Sequence, residues 1–329
     1  MSQLKNLIRI SIGSMFVIAA ILKLISIDEF EIYIFSFNVI SFLFTTFVSR
    51  IIIAGEFVLG LFLIFKINYK FTRRLTLTVL ASFTLFLIYA AIFRHDNNCH
   101  CFGELVELSP LESIVKNLVM IALLMLERQK LEPEPIEGKN ISTSTSSVTE
   151  IVQSSKFKVL SSTFLVLAVF IISPPDSIYK MIYSTEKEVS SIDLYKSFDE
   201  VVKIDFNEEE IVFDTISVFK EKDNQLIVIA SSGCKYCKIG LKKLSLMMKK
   251  AGISSDDVDV FIWGSPDGII DFRKETMTED FAYWHIMPNK AIGITYGRFP
   301  VFIMIKNKNI TNVGDFRDID DVFVRTLGF

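Results

Sequence analysis

Long apolar segments alternate with short polar ones through the first 126 residues. The runs with the length and hydropathy of membrane helices are Leu7–Ile25, Phe42–Phe65, Leu75–Phe93 and Leu111–Leu126. A helix needs about 20 apolar residues to cross a hydrocarbon core about 30 Å thick, so the fourth run is short unless it begins nearer Leu105. The pattern predicts an α-helical membrane bundle of four helices over residues 1–126.

The pattern changes after residue 126. Residues 127–158 are polar, with a Pro-Glu-Pro step and a Ser/Thr run at Ser142–Ser147, which is typical of a disordered linker. A fifth apolar run, Val159–Ser173, ends at two prolines and predicts a tethering membrane helix over residues 159–175. Residues 176–329 have the composition of a globular domain.

Lys and Arg are distributed unevenly among the loops, and this bias sets the orientation in the membrane. The basic residues of the N-terminus, the second loop and the linker are Lys5, Arg9, Lys66, Lys70, Arg73, Arg74, Arg128, Lys130, Lys139, Lys156 and Lys158. The loops at Ile27–Ser41 and Arg94–Leu108 are acidic or nearly neutral. We therefore expect a multi-pass protein of the cell inner (cytoplasmic) membrane, with the linker 127–158 cytoplasmic and residues 176–329 extracytoplasmic, in the periplasm. If the fifth run were a buried core helix instead, the C-terminal domain would be cytoplasmic.

Strand and helix patterns alternate in the C-terminal domain. Strands are predicted at Gln225–Ala230, Val258–Trp263, Val301–Ile305 and Asn309–Val313, helices at Cys234–Lys250 and Ile319–Leu327, and an added N-terminal piece at Ser190–Val218. Within the first helix, one face carries Cys237, Leu241, Leu244 and Met248. This order predicts an α/β sheet covered by helices.

The amino-acid composition and the spacing of the cysteines restrict the functions that this chain can have. Half of the 329 residues are apolar and the net charge is −3, with no basic stripe, which argues against a nucleic acid partner. The four cysteines fall in two close pairs, Cys99/Cys101 and Cys234/Cys237. Two pairs at short spacing indicate working thiols or a metal site, because a disulfide scaffold would be denser and more evenly spread.

The Cys234/Cys237 pair stands between a buried strand and the start of a helix. Free N–H groups at a helix N-terminus stabilise a thiolate, and Lys235 and Lys238 add positive charge nearby. Cys234 is therefore the expected nucleophile, and Cys237, one turn later, the thiol that resolves a mixed disulfide. The alternatives are a structural disulfide or a zinc half-site, which would need two more ligands when His285 is the only histidine of this domain.

The C-terminal domain resembles the thioredoxin-like superfamily over about Phe219–Phe329. The shared features are the strand–Cys-x-x-Cys–helix unit, the order of elements, and Gly297-Arg298-Phe299-Pro300 before the third strand. The resemblance implies a cis Phe299–Pro300 bond facing the cysteines, with Pro300, Lys235 and Tyr236 as supporting residues of the site. The chain differs from thioredoxin itself in lacking a Trp before the first Cys and Gly-Pro between the two.

The Cys99/Cys101 pair lies in a short loop between the third and fourth apolar runs. The next helix restarts at Ser109-Pro110-Leu111-Glu112, which has a capping-box arrangement. A Cys-x-Cys disulfide closes a small, strained ring that is easily reduced, and this suits a relay. The alternative is a metal site formed by Cys99, Cys101, His95 and His100.

The first 130 residues also resemble the DoxX-like four-helix membrane family that includes the methylamine-utilisation protein MauE. The matching stretches are Ile21-Leu22-Lys23-Leu24, Glu56-Phe57-Val58-Leu59-Gly60, Cys99-His100-Cys101-Phe102-Gly103 and Lys116-Asn117-Leu118. The Cys-x-Cys-Phe-Gly element is the most specific of these. The resemblance implies a membrane redox partner for the thioredoxin-like domain.

Charged residues lie in or near the apolar runs, where an unpaired charge costs on the order of several kcal/mol. They are Lys23, Arg50, Glu56 and Lys116. Glu56 sits deepest and is expected to pair across helices with Lys23 or Lys116, because Arg50 does not face it along one helix. Glu56 is thus the candidate proton-handling or quinone-contacting group. The alternative for the three basic residues is that they extend to the membrane interface.

Two outward-facing thiol pairs predict a membrane-bound thiol–disulfide oxidoreductase. In this hypothesis Cys234/Cys237 exchanges disulfides with extracytoplasmic client proteins or peptides and with Cys99/Cys101, and the bundle passes electrons to a membrane quinone. The predicted topology places no cysteine on the cytoplasmic side, which favours the oxidative direction over a reductive relay. No covalently bound cofactor is expected. A metal-binding membrane protein and a maturation factor dedicated to one secreted partner are two further functions that the sequence allows.

Overall fold

The structure is a computed structural model that describes residues 2–94, 108–126, 155–183, 198, 201–207, 210–213, 219 and 222–327. These residues form two compact units. The first comprises the described residues of Met1–Tyr33 and Thr46–Pro174, and the second those of Ile34–Thr45 and Pro175–Phe329.

Apolar helices dominate the first part of the chain. They are α1 (Ser2–Ile25), α2 (Ile27–Phe35), α3 (Phe42–Ile64), α4 (Tyr69–Tyr89, continued by a π-helical turn at Ala90–Arg94), α5 (Pro110–Leu126) and α6 (Ser155–Ile172). Within the described residues, the helical spans long and apolar enough to cross a membrane are Gln3–Ile25, Phe42–Ile64 and Tyr69–Arg94, with the broken pair Ser161–Ile172 and Asp176–Ile182 as a fourth if it counts as one span. Helix α5, with 17 residues, is shorter than these. The predicted bundle of apolar helices is confirmed, and the number of crossings stays a prediction.

Two glycines bring α1 and α3 into close contact. A Cβ atom on Gly13 would lie 2.7 Å from the carbonyl oxygen of Gly60, and a Cβ on Gly60 would lie 2.7 Å from that of Gly13. Nearby, Arg9 Nη1 donates hydrogen bonds of 2.9 Å to the carbonyl oxygens of Leu63 and Ile64. Both carbonyls lie in the last turn of α3, where helical partners run out. Leu63 O also accepts a hydrogen bond from Lys66 N at 3.2 Å, and the buried guanidinium adds a donor to both oxygens.

The second unit contains a mixed sheet covered by helices. Its elements after Pro175 are α7 (Asp176–Tyr183), β1 (Val202–Asn207), β2 (Glu210–Phe213), β3 (Gln225–Ser231), α8 (Lys235–Ala251), β4 (Val258–Trp263), α9 (Pro266–Thr276), β5 (Ala282–His285), α10 (Pro288–Thr295), β6 (Val301–Lys306), β7 (Asn309–Gly314) and α11 (Asp321–Arg325). The sheet order is β2-β1-β5-β4-β3-β6-β7. Strands β3, β4 and β5 are parallel, and the other pairings are antiparallel. The predicted α/β thioredoxin-like fold is confirmed.

Strand β3 runs through the middle of the domain and is buried on both faces. Val228 packs on one side with residues of α8, α9 and α11, and Ile227 packs on the other with α10 and an aromatic cluster. That cluster contains Phe198, Phe219, Phe261 and Trp284. Burial on both faces explains why β3 reads as a continuous apolar run instead of an alternating one.

The sequence patterns missed several elements of this unit. Strand β5 lies between Trp263 and Val301, where no strand was predicted. Strands β1 and β2 lie in the added N-terminal piece, and α7 lies at the start of the globular domain. Helix α11 is shorter than the predicted Ile319–Leu327. It starts later because the Asp320 side chain caps it by accepting hydrogen bonds from Val322 N and Phe323 N, and it ends at Arg325.

The segment Ile34–Thr45, which lies within the predicted 1–126 domain, belongs to the second unit. Phe35 and Phe42 are buried in the same core as β3 and α8. The Lys243 Nζ atom lies 3.9 Å from the ring centre of Phe42, and Lys250 Nζ donates a 2.8 Å hydrogen bond to the carbonyl oxygen of Ile40. The core of the thioredoxin-like unit therefore includes the last residue of α2, Phe35, and the first residue of α3, Phe42.

Candidate active site

The Cys234/Cys237 pair stands at the junction between β3 and α8. The turn is held by Ser232 N, which donates to the carbonyl oxygen of Trp263 at 3.0 Å, and by Cys234 N, which donates to that of Ser231 at 3.1 Å. Cys234 has an extended backbone and caps the helix, since its sulfur accepts a hydrogen bond from Cys237 N at 3.3 Å. A sulfur thus occupies the position that Ser, Thr or Asp normally takes at a helix N-terminus.

This capping geometry makes Cys234 acidic. A hydrogen bond from the Cys237 thiol, opposed by partial burial and aided by the backbone N–H groups of Cys237 and Tyr236, lowers the pKa of Cys234 to about 6. A thiol with that pKa is roughly nine-tenths thiolate at pH 7, and the thiolate is the reactive form. The expected nucleophile therefore has the acidity that disulfide exchange requires.

Cys237 has the opposite properties. It is fully buried in α8, with Leu241, Leu244 and Met248 on the same buried face, as the helical spacing predicted. Burial, the hydrogen bond that it gives to Cys234 and the negative charge there raise the pKa of Cys237 far above its usual range. The pair is thus one partly buried, acidic sulfur beside one fully buried, protonated sulfur, and in this structure both are free thiols.

Pro300 closes the other side of the thiol pair. The Phe299–Pro300 peptide bond is cis, as the resemblance implied. The carbonyl oxygen of Phe299 lies 4.0 Å from Cys234 Sγ, and the Phe299 ring packs edge-on against Trp263 with 4.6 Å between ring centres. Pro300 itself is buried, so it is the backbone of Phe299 that borders the nucleophile.

The two residues between the cysteines point away from the core. Tyr236 is half exposed and stacks on Phe316 with 4.8 Å between ring centres. Lys235 is exposed, and Lys238 Nζ lies 2.6 Å from Glu275 Oε2. Hydrogen bonds at the helix N-terminus are the causes that lower the pKa of Cys234, whereas the sequence pattern had also assigned this effect to the two lysine charges.

The second thiol pair, Cys99/Cys101, lies outside the described residues, as do His95 and His100. The flanking elements are described. The π-helical turn Ala90–Arg94 precedes the loop, and α5 begins after it with the predicted capping box, in which Ser109 N and Oγ donate to Glu112 Oε2 at 2.8 and 2.9 Å. Within the described part of the chain, no group of three or more His, Cys, Asp or Glu side chains has the geometry of a metal site.

The charges of the bundle pair with one another. Lys23 Nζ in α1 lies 2.5 Å from Glu56 Oε1 in α3, which confirms the predicted pairing across helices. The rings of Phe30 and Phe83 lie 5.4 and 5.8 Å from the same nitrogen. Lys116 of α5 interacts electrostatically with both Lys23 and Glu56. Residues from α1 to α5 therefore surround one polar cluster inside the bundle.

Arg50 is buried within the protein instead of being exposed on its surface. Its guanidinium pairs with the carboxylate of Glu31, which the sequence patterns had not singled out. It also donates to the carbonyl oxygens of Ser173 and Pro174, at 2.6 and 3.0 Å. Arg50 thereby joins α2 and α3 to the two residues that directly follow α6.

Comparison with known proteins agrees with this arrangement. Residues 1–127 match the family model described as methylamine utilisation protein MauE. The resemblance that the sequence indicated for the bundle is thereby confirmed. The protein TlpB of Flavobacterium psychrophilum is 28% identical over 311 residues, covering 84% of this chain and 82% of that protein. Coverage of this extent includes parts of both the MauE-like bundle and the thioredoxin-like domain. The chain is a membrane protein that combines the two.

Proposed function

We propose that this protein is a membrane-bound thiol–disulfide oxidoreductase that oxidises extracytoplasmic client thiols. The observation that carries the proposal is the contrast between Cys234, an acidic helix-capping thiol, and Cys237, a buried one with a raised pKa. A low pKa makes Cys234 a good leaving group and stabilises the reduced pair, and both effects favour a pair that accepts electrons from its clients.

The exchange with a client follows from the positions of the two sulfurs. A client thiolate attacks Cys234 Sγ of the Cys234–Cys237 disulfide, which forms a mixed disulfide and releases Cys237. Cys237 takes a proton, as its raised pKa requires. A second client thiolate then attacks the client sulfur of the mixed disulfide and releases the Cys234 thiolate. The client gains a disulfide, and the pair gains two electrons.

Cys99/Cys101 is the proposed acceptor of these electrons within the same chain. Its disulfide exchanges with the Cys234/Cys237 dithiol, so that one pair is reduced as the other is reoxidised. This step requires both pairs on the outer face of the membrane, as the distribution of Lys and Arg predicts. This exchange between the two pairs is supported by the strain of a Cys-x-Cys disulfide, which is expected to make that disulfide easy to reduce.

The polar cluster around Glu56 is the proposed contact with a membrane quinone. A quinone accepts two electrons and two protons, which regenerates the Cys99–Cys101 disulfide. Among the described residues, Glu56 Oε2 is buried and accepts no hydrogen bond, so it is available to hold a proton or a quinol hydroxyl. The Lys23 ammonium on the other carboxylate oxygen fixes the orientation of that group.

Trapping of the mixed disulfide tests the relay. The variant Cys237→Ala removes the resolving thiol, so Cys234 should accumulate in a disulfide with Cys99, Cys101 or a client, visible by non-reducing electrophoresis and peptide mass spectrometry. The matched variant Cys234→Ala should give no such species. Unlinked monomer alone in Cys237→Ala, together with a thiol state of the full chain that added quinone does not change, would refute the relay.

A further inference from the structure

Helix α7 follows directly after the fifth apolar helix and has two chemically different faces. Ile178, Met181 and Ile182 are spaced three and four residues apart, so they share one face of the helix. Their exposed fractions are 38%, 87% and 63%. An exposed apolar face on a short helix indicates a partner that the isolated domain does not supply.

The opposite face of α7 is already bound to the thioredoxin-like domain. Asp176 Oδ2 lies 3.0 Å from the buried Lys243 Nζ of α8, and Asp176 Oδ1 lies 3.7 Å from Arg317 Nη1. The Arg317 guanidinium also lies 4.2 Å from the ring centre of Tyr179, and Lys180 Nζ lies 2.9 Å from Asp320 Oδ2. The polar face is therefore fixed, and the apolar face remains the side that points outward.

The position of α7 in the chain identifies what covers this face. Three residues separate Ile172, the end of α6, from Asp176, and a connection that short spans at most about 14 Å. At the end of α6 the side chains of Ile171 and Ile172 are themselves 77% and 68% exposed, as expected of a helix that contacts lipid. Helix α7 thus begins within the thickness of the headgroup region, where amphipathic helices bury their apolar face about 5–10 Å deep.

We infer that α7 is an interfacial helix, and that Ile178, Met181 and Ile182 insert into the lipid surface on the side where α6 ends. The polar face then carries the thioredoxin-like domain. This inference concerns the attachment of the domain and does not depend on the direction of electron flow.

The same contacts connect the lipid-bound helix to the thiol site. The Arg317 guanidinium, held by Asp176 and Tyr179, lies 5.3 Å from the ring centre of its neighbour Phe316. Phe316 stacks on Tyr236, which stands between the two cysteines. Gly240 of α8 permits this packing, since a Cβ there would meet Phe316 Cβ at 3.0 Å. The domain is thus held at the membrane through residues that pack directly behind the Cys234/Cys237 turn.

Photo-cross-linking in the full chain tests the inference. The photoreactive amino acid p-benzoylphenylalanine replaces Ile178, Met181 or Ile182 one at a time, in nanodiscs of phosphatidylethanolamine and phosphatidylglycerol. The control carries it at Asp271, an exposed polar position of α9 in the same domain. We expect lipid adducts at the three apolar positions about fivefold or more above those at position 271, because only the apolar face of α7 enters the acyl boundary.

Each variant is also checked for a folded domain by the alkylation rate of Cys234 at pH 7, since an unfolded chain loses the hydrogen bonds that lower its pKa. A variant that fails this check is set aside, and the remaining apolar positions decide. Equal lipid yields at position 271 and at the apolar positions would overturn the inference. So would adducts to a second copy of the chain at the apolar positions in place of lipid.

Discussion

The sulfur of Cys234 accepts a hydrogen bond from the backbone N–H of Cys237 at 3.3 Å, so the nucleophile caps the helix that contains its own resolving thiol. The same turn of helix therefore holds the two sulfurs together and separates their acidities. The lowered pKa of Cys234 comes first from the hydrogen bond of the Cys237 side chain, and then from the backbone N–H groups of Cys237 and Tyr236.

Alkylation of the reduced protein should follow the pKa of Cys234. Because that pKa is lowered to about 6, the thiolate forms as pH rises through this value, and the rate should have its midpoint there and level off above about pH 7. Iodoacetamide modification of the Cys234 peptide, followed by mass spectrometry, measures this. In Cys237→Ala the midpoint should move upward, because the donor of the principal hydrogen bond is lost. A wild-type midpoint at the ordinary thiol value of about 8.5 would contradict the geometry.

The Lys23–Glu56 pair should behave as a coupled unit. Lys23→Met or Glu56→Leu alone leaves a buried charge without its partner, and each should lower the free energy of unfolding by about 3–5 kcal/mol. Replacing both removes the two charges that pair with each other, so the double variant should lose clearly less than the sum of the single variants. Unfolding in mixed micelles, titrated with dodecyl sulfate and followed by circular dichroism, gives the three values. Simple additivity would show that the two groups do not depend on each other.

Substitutions at Gly60 and Gly55 of α3 test the contact between α1 and α3, with Gly55 as the control position. A Cβ at Gly60 would meet Gly13 O at 2.7 Å, whereas one at Gly55 would meet nothing within 4 Å. Gly60→Ala should therefore destabilise the bundle by roughly 1–3 kcal/mol, because the helices must move apart. Gly55→Ala should be neutral or stabilising by up to about 1 kcal/mol, since Ala favours helix. Thermal unfolding in detergent compares the two, and equal losses would argue against this contact.

Gly264 should be required for the turn that leads into the thiol pair. A Cβ there would fall 1.9 Å from Ser232 Oγ and 2.8 Å from Ser232 Cβ. Gly264→Ala should displace Ser232, with a loss of roughly 1–3 kcal/mol and slower alkylation of Cys234. Adding Ser232→Gly removes both clashing atoms and should restore the rate.

The control for Gly264→Ala is Gly233→Ala. Gly233 lies beside Cys234, and a Cβ on it would meet nothing within 4 Å. Gly233→Ala should leave the alkylation rate close to that of the unchanged chain. If Gly233→Ala and Gly264→Ala slow alkylation equally, the effect comes from stiffening the turn and not from the clash with Ser232.

The sequence alone predicted several local elements of the thioredoxin-like domain. Strand β4 occupies the predicted Val258–Trp263, and the helix after the thiol pair buries the predicted face of Cys237, Leu241, Leu244 and Met248. The cis Phe299–Pro300 bond was also expected, although from the resemblance and not from the chain alone. Such features rest on periodicity and on groups a few residues apart, so neighbouring sequence contains their physical cause.

Features that depend on distant contacts needed the tertiary structure. Strand β5 has four residues, too few to establish a period, and exists because its parallel pairing with β4 and antiparallel pairing with β1 satisfy its backbone groups. The sequence could not show the contacts of Arg50, because its partner Glu31 lies on another helix and two of its carbonyl acceptors, Ser173 and Pro174, are more than a hundred residues away.

The features of the thiol site also divide into those that the sequence determined and those that needed the tertiary structure. The sequence by itself determined where the nucleophile stands, because a Cys at the end of a strand and the start of a helix meets free N–H groups wherever that unit folds. Tertiary structure decided what surrounds it: the Phe299 carbonyl 4.0 Å from the sulfur, the stacking of Tyr236 on Phe316, and the ion pairs that tie α7 to the domain. Those contacts join residues far apart in the chain, and long-range packing carries no signature in a local pattern.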